Sequence, residues 1–444
     1  MGVFKAYDIR GKVPGEINEP LARRIGRAFA DFLGGEGVVG VGHDVRSSAP
    51  GLARAVADGL HDGGVDTLEV GLCTTPTLYF VVGGRKLTGG IMVTASHNPP
   101  EDNGFKLCRE SVKPVGSVSG LKDVEAAVLA PEKPPVARRG KATKEDVREA
   151  YCDHVVRLSG PIGKFKVAFD TGNGVVGPTL EALLRRWTTI DPVKLFFEPK
   201  GNPEHPANPL VPANLKDVQA AVVKHGCDLG VAFDGDGDRC VFIDGDGKAV
   251  SSDLLTALLC RSVLANEKGA AIVHDLTSSK VVREEIEKHG GVAVEERVGH
   301  AFIKATMRAK NAPFSGESSG HYYWRDHWFA DTALITVGRL LAMLGKEKLT
   351  LAQAIKPLRR TARSSEQNFH VEDKDGALET LVKTFPGEVT RLDGVTVRMK
   401  TWWFNARKSN TEPLVRVNAE ADDEATLAKA LKQIEGILGT PVAH

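Results

Sequence analysis

No run of 18 apolar residues occurs in the 444-residue chain, so no segment has the length and hydropathy of a membrane-spanning helix. An excess of one charge is missing too: 58 Lys and Arg stand against 57 Asp and Glu, a formal net charge of +1. That balance argues against a nucleic-acid-wrapping surface or a polybasic membrane arm, although local basic pockets stay open. Cysteine is sparse. Cys73, Cys108, Cys152, Cys227, Cys240 and Cys260 form no Cys-x-x-Cys pair and no zinc spacing, and read as buried, reduced thiols. The segment Met1-Gly2-Val3-Phe4-Lys5-Ala6 has no apolar signal core and no Ser or Thr at position 6 for myristoylation. The expectation is a cytoplasmic protein with neither a membrane nor a nucleic acid as partner.

What is present is ordinary globular material. Hydrophobic residues make up 42% and charged residues 26%, which excludes disordered, collagen-like and coiled-coil chains. At roughly 150 residues per domain, the length allows about three domains. Asn18 is placed to cap a helix with Pro20 in its first turn and Leu21, Ile25, Phe29 and Phe32 along one face. Val38–Val41, Thr67–Val70 and Gly90–Val93 read as strands, with helical faces through Leu52, Val56 and Leu60 and from Pro76 between them. The alternation recurs from Lys166 to Phe233 and again from Asp253 to Phe314, with Ala312–Phe314 as its last strand. The fold class is therefore α/β: three successive α/β units with mixed, mainly parallel sheets. Val395, Val397 and Met399 then alternate as a strand does before a helix at Glu424–Leu438, a smaller α+β C-terminal domain. The Pro-rich stretch Pro131–Gly140 and the Asp-Gly turn Ile243–Lys248 mark two boundaries. The expected domains are 1–140, 141–248, 249–362 and 363–444.

In open sheets with parallel strands, ligands bind beyond the carboxyl ends of those strands. Four polar loops stand beside predicted strands. Thr94-Ala95-Ser96-His97-Asn98-Pro99 exposes a serine that can accept a phosphoryl group; an ordinary Asn-Pro turn is the plain alternative. No Gly-x-Ser-x-Gly surrounds Ser96, which counts against an α/β-hydrolase. Asp234-Gly235-Asp236-Gly237-Asp238-Arg239 sets three carboxylates at i, i+2 and i+4, oxygen ligands suited to Mg²⁺ or Ca²⁺ rather than zinc. An EF-hand is excluded because its sixth and twelfth positions would be Arg239 and Gly245; a solvated acidic turn is the remaining alternative. Gly316-Glu317-Ser318-Ser319-Gly320-His321 offers donors and acceptors for hydroxyl groups, or is a surface turn. Arg407-Lys408-Ser409-Asn410-Thr411-Glu412-Pro413 gathers donors for a phosphate, or is a basic turn. Together the four fit metal-assisted phosphoryl transfer on a phosphosugar.

In that order, the four loops make the chain resemble the α-D-phosphohexomutases, within them the bacterial phosphomannomutase/phosphoglucomutase group; Ala6-Tyr7-Asp8-Ile9-Arg10-Gly11 is similar too. The resemblance spans the whole chain and implies four domains around a central cleft. It implies a phosphorylated Ser96, and one Mg²⁺ held by Ser96, Asp234, Asp236 and Asp238. Arg10, His97 and Arg239 are implied beside the phosphoserine, with Lys106 and His300 assisting proton transfer. Tyr7, Glu317, Ser319 and His321 are implied at the sugar, and Arg407, Ser409, Asn410 and Thr411 at a phosphate. The implied reaction interconverts hexose 1- and 6-phosphates of mannose or glucose through a hexose 1,6-bisphosphate, which also serves as activator. The implied protein is a monomer or weak homodimer. An exposed, solvated lysine and a partner-satisfied histidine are the plain alternatives for Lys106 and His300.

Three positions depart from the pattern. Thr277 stands in Asp275–Ser279 where the family often has a basic residue, so that one basic contact is either missing or supplied by Lys280. His43 stands where Arg is frequent, and Ser318 where the mannose/glucose form usually has Met. These departures bear on sugar preference. The rivals are a phosphoglucosamine mutase, a metal-dependent sugar phosphatase using Ser96, and a catalytically silent sugar-phosphate sensor.

Overall fold

The computed structural model describes residues 2–409 and 413–442. Among the described residues the strands form four sheets of seven, five, five and six strands, in chain order. The first runs in the order Ile9–Lys12, Asp102–Arg109, Gly89–Val93, Val38–His43, Asp66–Leu72, Ala142–Lys144, with Lys113–Pro114 as a seventh strand paired to Asp102–Arg109. Gly89–Val93, Val38–His43, Asp66–Leu72 and Ala142–Lys144 pair in parallel, while Asp102–Arg109 is antiparallel to both Ile9–Lys12 and Gly89–Val93. The second and third sheets also combine parallel ladders with antiparallel ones on one side. The last sheet is antiparallel throughout. Ala142–Lys144 lies beyond the boundary expected at 140 and extends the first sheet. Ala362–Arg363 straddles the boundary expected at 362 and pairs within the last sheet. No helix among the described residues is long and apolar enough to cross a membrane.

Local chemistry accounts for the first helices. The Asn18 side chain accepts a hydrogen bond from the Leu21 amide at 3.0 Å, capping the helix Glu19–Phe32. Ile25, Ala28 and Phe29 are buried on one face, each large side chain contributing about 1.5–3 kcal/mol on burial. The helix Ala49–Asp62 crosses it backbone against backbone. A Cβ on Gly26 would lie 2.1 Å from the Val56 carbonyl oxygen, and one on Gly59 2.0 Å from that of Arg23, so only glycines permit this crossing.

The cores distinguish the segments further. The first and last have separate cores, built around Phe29, Val41 and Phe105 and around Phe369, Phe404 and Val417 respectively. A single core runs from Tyr151 through Phe233 and Leu258 to Leu344, so the second and third segments are packed as one body. The last segment docks through polar contacts. Glu420, fully buried, accepts from the Lys280 amide at 2.8 Å, Trp403 Nε1 at 2.6 Å, Thr361 Oγ1 at 2.6 Å and Ser279 Oγ.

Candidate active site

Ser96 follows the strand Gly89–Val93 with φ +53°, in the left-handed region that non-glycine residues rarely adopt. Thr94 Oγ1 accepts from its amide at 2.8 Å. The loop is held from behind by Arg46, whose guanidinium donates to the carbonyls of Ser96 (3.0 Å), Asn98 (2.6 Å), Asp102 (2.7 Å) and Pro99 while pairing with buried Asp44 at 3.2 Å. Arg10 joins it, donating to Asp8 at 2.7 Å and to Asn98 Oδ1 at 2.9 Å. Ser96 Oγ lies 3.1 Å from His97 Nδ1 and donates to Asp234 Oδ2 at 2.7 Å. Burial, then the positive Arg239 and Arg10, push His97 down to about 2, so His97 is neutral beside Ser96.

Asp234, Asp236 and Asp238 occupy the tight turn between the antiparallel strands Leu229–Phe233 and Cys240–Asp244. All three are essentially without solvent contact, and their ligand oxygens lie within 4.8 Å of one another. Asp236 Oδ2 accepts from Thr75 Oγ1 and from Lys106 Nζ, both at 2.6 Å, and Asp238 Oδ2 lies 2.5 Å from the same ammonium. Asp236 Oδ1 is buried without a hydrogen-bond partner among the described residues, and Asp238 Oδ1 lies 3.4 Å from His321 Nε2. Burial, followed by repulsion from Asp238 and Asp236, raises the Asp234 carboxyl well above its ordinary range. This set fits a hard divalent cation: oxygen donors only, converging and mutually repelling, with free lone pairs.

Lys106 does not have the exposed, solvated position open to it on sequence. Burial favours its neutral form, but Asp236 and Asp238 outweigh burial and hold its pKa above the ordinary value. It is an ammonium here, able to donate a proton and already compensating the carboxylates. His300 differs again. Burial, then Lys304 and Lys106, push it well below the ordinary imidazole value, and neither ring nitrogen has a partner among the described residues. The partner-satisfied alternative fails for His300. Its ring centroid lies 5.7 Å from that of Tyr7. Tyr7 donates to the Val298 carbonyl at 3.0 Å and passes over Gly299, where a Cβ would meet its ring at 2.6 Å.

The loop Glu317–His321 joins the antiparallel strands Phe314–Gly316 and Tyr322–Trp324. Glu317 is buried; it accepts from the Gly299 amide at 2.9 Å and from the Tyr323 hydroxyl, and burial raises its pKa. Ser319 Oγ lies 2.8 Å from His321 Nδ1, and Arg239 Nε donates to His321 Nε2 at 3.2 Å. The loop therefore meets the aspartate turn directly, with Arg239 and His321 also forming a β-bridge. Arg407 and Ser409 lie at the end of the strand Trp402–Lys408, Arg407 pairing with Glu366 at 2.5 Å; Asn410 and Thr411 lie outside the described residues. Lys280 does not fill the basic position vacated by Thr277, because its ammonium is engaged by Asp422 across the interface with the last segment. The Thr277 hydroxyl instead donates to Asp275 at 2.6 Å and lies 3.2 Å from Ser318 Oγ.

The structure thus brings Ser96, His97, Arg10, Lys106, the three aspartates, Arg239 and His321 into one connected network. Tyr7 and His300 lie against each other beside Glu317. Sequence reasoning missed the roles of Arg46, Asp44, Thr75 and Tyr323. Asp44 and Arg46 had a signal, since they follow the strand Val38–His43 as the other polar loops follow theirs; Thr75 and Tyr323 had none. A cavity of about 440 Å³ reaches Ser96 and His97 between the first and second segments, but its lining contains none of Glu317, His321 or Arg407, so it is distinct from the side that carries those residues.

Comparisons agree along the whole chain. Models of phosphoglucomutase/phosphomannomutase alpha/beta/alpha domains I, II and III match residues 1–130, 149–247 and 251–361, and that of the C-terminal domain matches 366–437. A protein of Xanthomonas campestris pv. campestris named for phosphohexose mutases is 38% identical over 97% of each chain. A phosphomannomutase of Escherichia coli strain K12 is 37% identical over 96% of each. The crystal structure of a phosphoglucomutase/phosphomannomutase family protein from Burkholderia thailandensis superposes with TM-score 0.90 at 31% identity, covering 99% of this chain and 98% of that one.

Proposed function

The chain belongs to the phosphoglucomutase/phosphomannomutase family, and on that premise we propose that this phosphohexomutase interconverts the 1- and 6-phosphates of mannose and glucose through a phosphorylated Ser96. One observation carries the residue assignment: Ser96 Oγ lies 2.7 Å from the first of three converging, buried aspartates. A serine there accepts a phosphoryl group in a pocket that tolerates its charge only with a cation present.

Asp234, Asp236 and Asp238, with the Ser96 oxygen, would hold one Mg²⁺, which offsets the phosphoryl charge and polarises the P–O bond to be broken. The protein's own groups do the rest. Phospho-Ser96 yields its group to the free hydroxyl of a bound hexose phosphate: the Ser96 Oγ–P bond breaks, the sugar O–P bond forms, and the hydroxyl proton leaves. His300, neutral and with free ring nitrogens, takes that proton. Lys106, Arg10 and Arg239 are fixed positive charges around the transferring group. Glu317 and His321, the latter oriented by Ser319, hold ring hydroxyls, and Tyr7 closes the side beside His300. The product is a hexose 1,6-bisphosphate. After it turns end for end, its other sugar O–P bond breaks, the Ser96 Oγ–P bond re-forms and the freed sugar oxygen takes the proton back from His300, while Arg407, Ser409, Asn410 and Thr411 hold the phosphate that is not reacting. Free hexose 1,6-bisphosphate would act as activator by rephosphorylating Ser96. The six buried, free cysteines fit a reducing, cytoplasmic setting, and the proposed protein is a monomer or weak homodimer acting on small phosphosugars.

The test is peptide and intact-mass analysis of Ser96 phosphate, beside Ser96→Ala, with coupled assays on mannose, glucose and glucosamine 1-phosphates. Phosphate on Ser96, activation by glucose 1,6-bisphosphate and isomer formation without free phosphate are expected. Release of inorganic phosphate with no isomer would mean a phosphatase. Fastest turnover of the amino sugar would make the protein a phosphoglucosamine mutase.

A further inference from the structure

We propose that Lys304 and Asp331 form a buried charge pair that positions both sugar-reading groups, Glu317 and His321, although neither member reaches the sugar. The inference rests on the hydroxyl-binding role given to those two residues above. Lys304 and Asp331 are 1% and 2% exposed, and Lys304 Nζ lies 2.6 Å from Asp331 Oδ1. An isolated pair this deep contributes little net stability, because desolvating both charges offsets their attraction. Its surroundings supply a different reason for it.

Two routes lead from the ammonium to the sugar loop. In the first, Asp331 pairs in register with Tyr323 across neighbouring strands, and its second oxygen lies 3.9 Å from His321 Nε2. In the second, the ammonium lies 5.9 Å from the Tyr323 ring centroid, and the hydroxyl of that ring holds Glu317. The same ammonium rests on the ring of Tyr79, at 4.3 Å, in the helix Thr75–Gly84 of the first segment. Loss of the pair would therefore remove one support from each reader, leaving the Gly299 amide on Glu317 and Ser319 and Arg239 on His321, and loosen the brace between the sugar loop and the first segment. Lys304 is also one turn from His300 on the helix His300–Lys310. That helix is pinned further along by Arg308, which donates to the carbonyls of Ser111, Val112 and Trp328.

Asp238, His321 and Asp331 could on geometry hold a second cation. Arg239 Nε and Lys304 Nζ already sit against that group, so protein cations fill the role.

The test compares Lys304→Met, Asp331→Asn, the double variant and Lys304→Arg with wild type. The double variant strands no charge and so keeps the fold measurable. Calorimetry gives the affinity for glucose 1-phosphate and for inorganic phosphate; kinetics give KM and kcat. The expected result is a folded double variant whose affinity for glucose 1-phosphate falls about tenfold or more and whose KM rises in parallel, inorganic phosphate binding as in wild type. Lys304→Arg should restore most of the sugar affinity. A folded double variant with wild-type sugar affinity would overturn the proposal, as would equal loss of sugar and phosphate binding. If wild type turned over no hexose phosphate, the mutase reading would fall while the affinity comparison still decided the role of the pair.

Discussion

Arg46 offers the sharpest check on how Ser96 is held. Its guanidinium donates to four backbone carbonyls of the serine loop and pairs with Asp44, both side chains being nearly free of solvent. Arg46→Met keeps much of the stem and removes every one of those donors. A hydrogen bond from a charged donor contributes about 1.5–3 kcal/mol, so four would nominally total several times that. They are not additive, since the loop can relax and rehydrate some carbonyls. The larger cost is Asp44, left as a buried unpaired carboxylate, at about 3–5 kcal/mol. A net loss of about 4 kcal/mol follows. If the first domain, matched over residues 1–130, unfolds as a unit, that loss lowers its midpoint by on the order of 10–15 °C. Ser96, no longer held at φ +53°, should also lose its phosphate occupancy. Calorimetry and intact-mass analysis read the two effects separately. A midpoint within 2 °C or so of wild type, with full phosphorylation of Ser96, would refute the argument, because among the described residues no other side chain donates to those four carbonyls together, the Asp102 amide reaching only that of Pro99.

Three further outcomes are expected. Divalent cation at about 100 times its dissociation constant should stabilise the protein by roughly 2.7 kcal/mol, and chelation should reverse this; thermal shifts on Asp236→Asn should show the response lost. The buried pair His154 and His327, 3.1 Å apart, is held below the ordinary imidazole range by burial, His154 down to about 4. The unfolded chain therefore binds protons that the folded one refuses as pH falls below about 6.5. Stability should be complete above that value and decline by on the order of 2 kcal/mol toward pH 5, allowing for partial solvent screening; a flat unfolding profile over that window would contradict this. Glu420→Leu strands four donors at the joint with the last segment, and should cost about 3 kcal/mol and enlarge the radius of gyration in solution scattering.

Much of the molecule was determined by local sequence. The helix Glu19–Phe32 follows from its cap and apolar spacing, and most expected strands stand within a residue or two of their places. Local signals failed where turn-forming residues lie in strands. Asp102, Asn103 and Gly104 are all turn-favouring residue types, yet they begin the strand Asp102–Arg109 that carries Lys106. The strand expected at Ala312–Phe314 begins instead at Phe314, and pairing with Ile272–His274 sets its extent. The spacing of Asp234, Asp236 and Asp238 was likewise legible, because ligand geometry over five residues is a local property.

Only tertiary structure decided what those residues do to one another. Ser96 meets Asp234 across 138 positions and Lys106 meets Asp236 across 130, separations at which no periodicity carries information. Packing turned Lys106 from a possible base into a charged partner of two carboxylates, left His300 neutral and unpartnered, and engaged Lys280 with Asp422. Protonation and pairing depend on distance and on the removal of water, and a chain acquires both only when its segments are packed together.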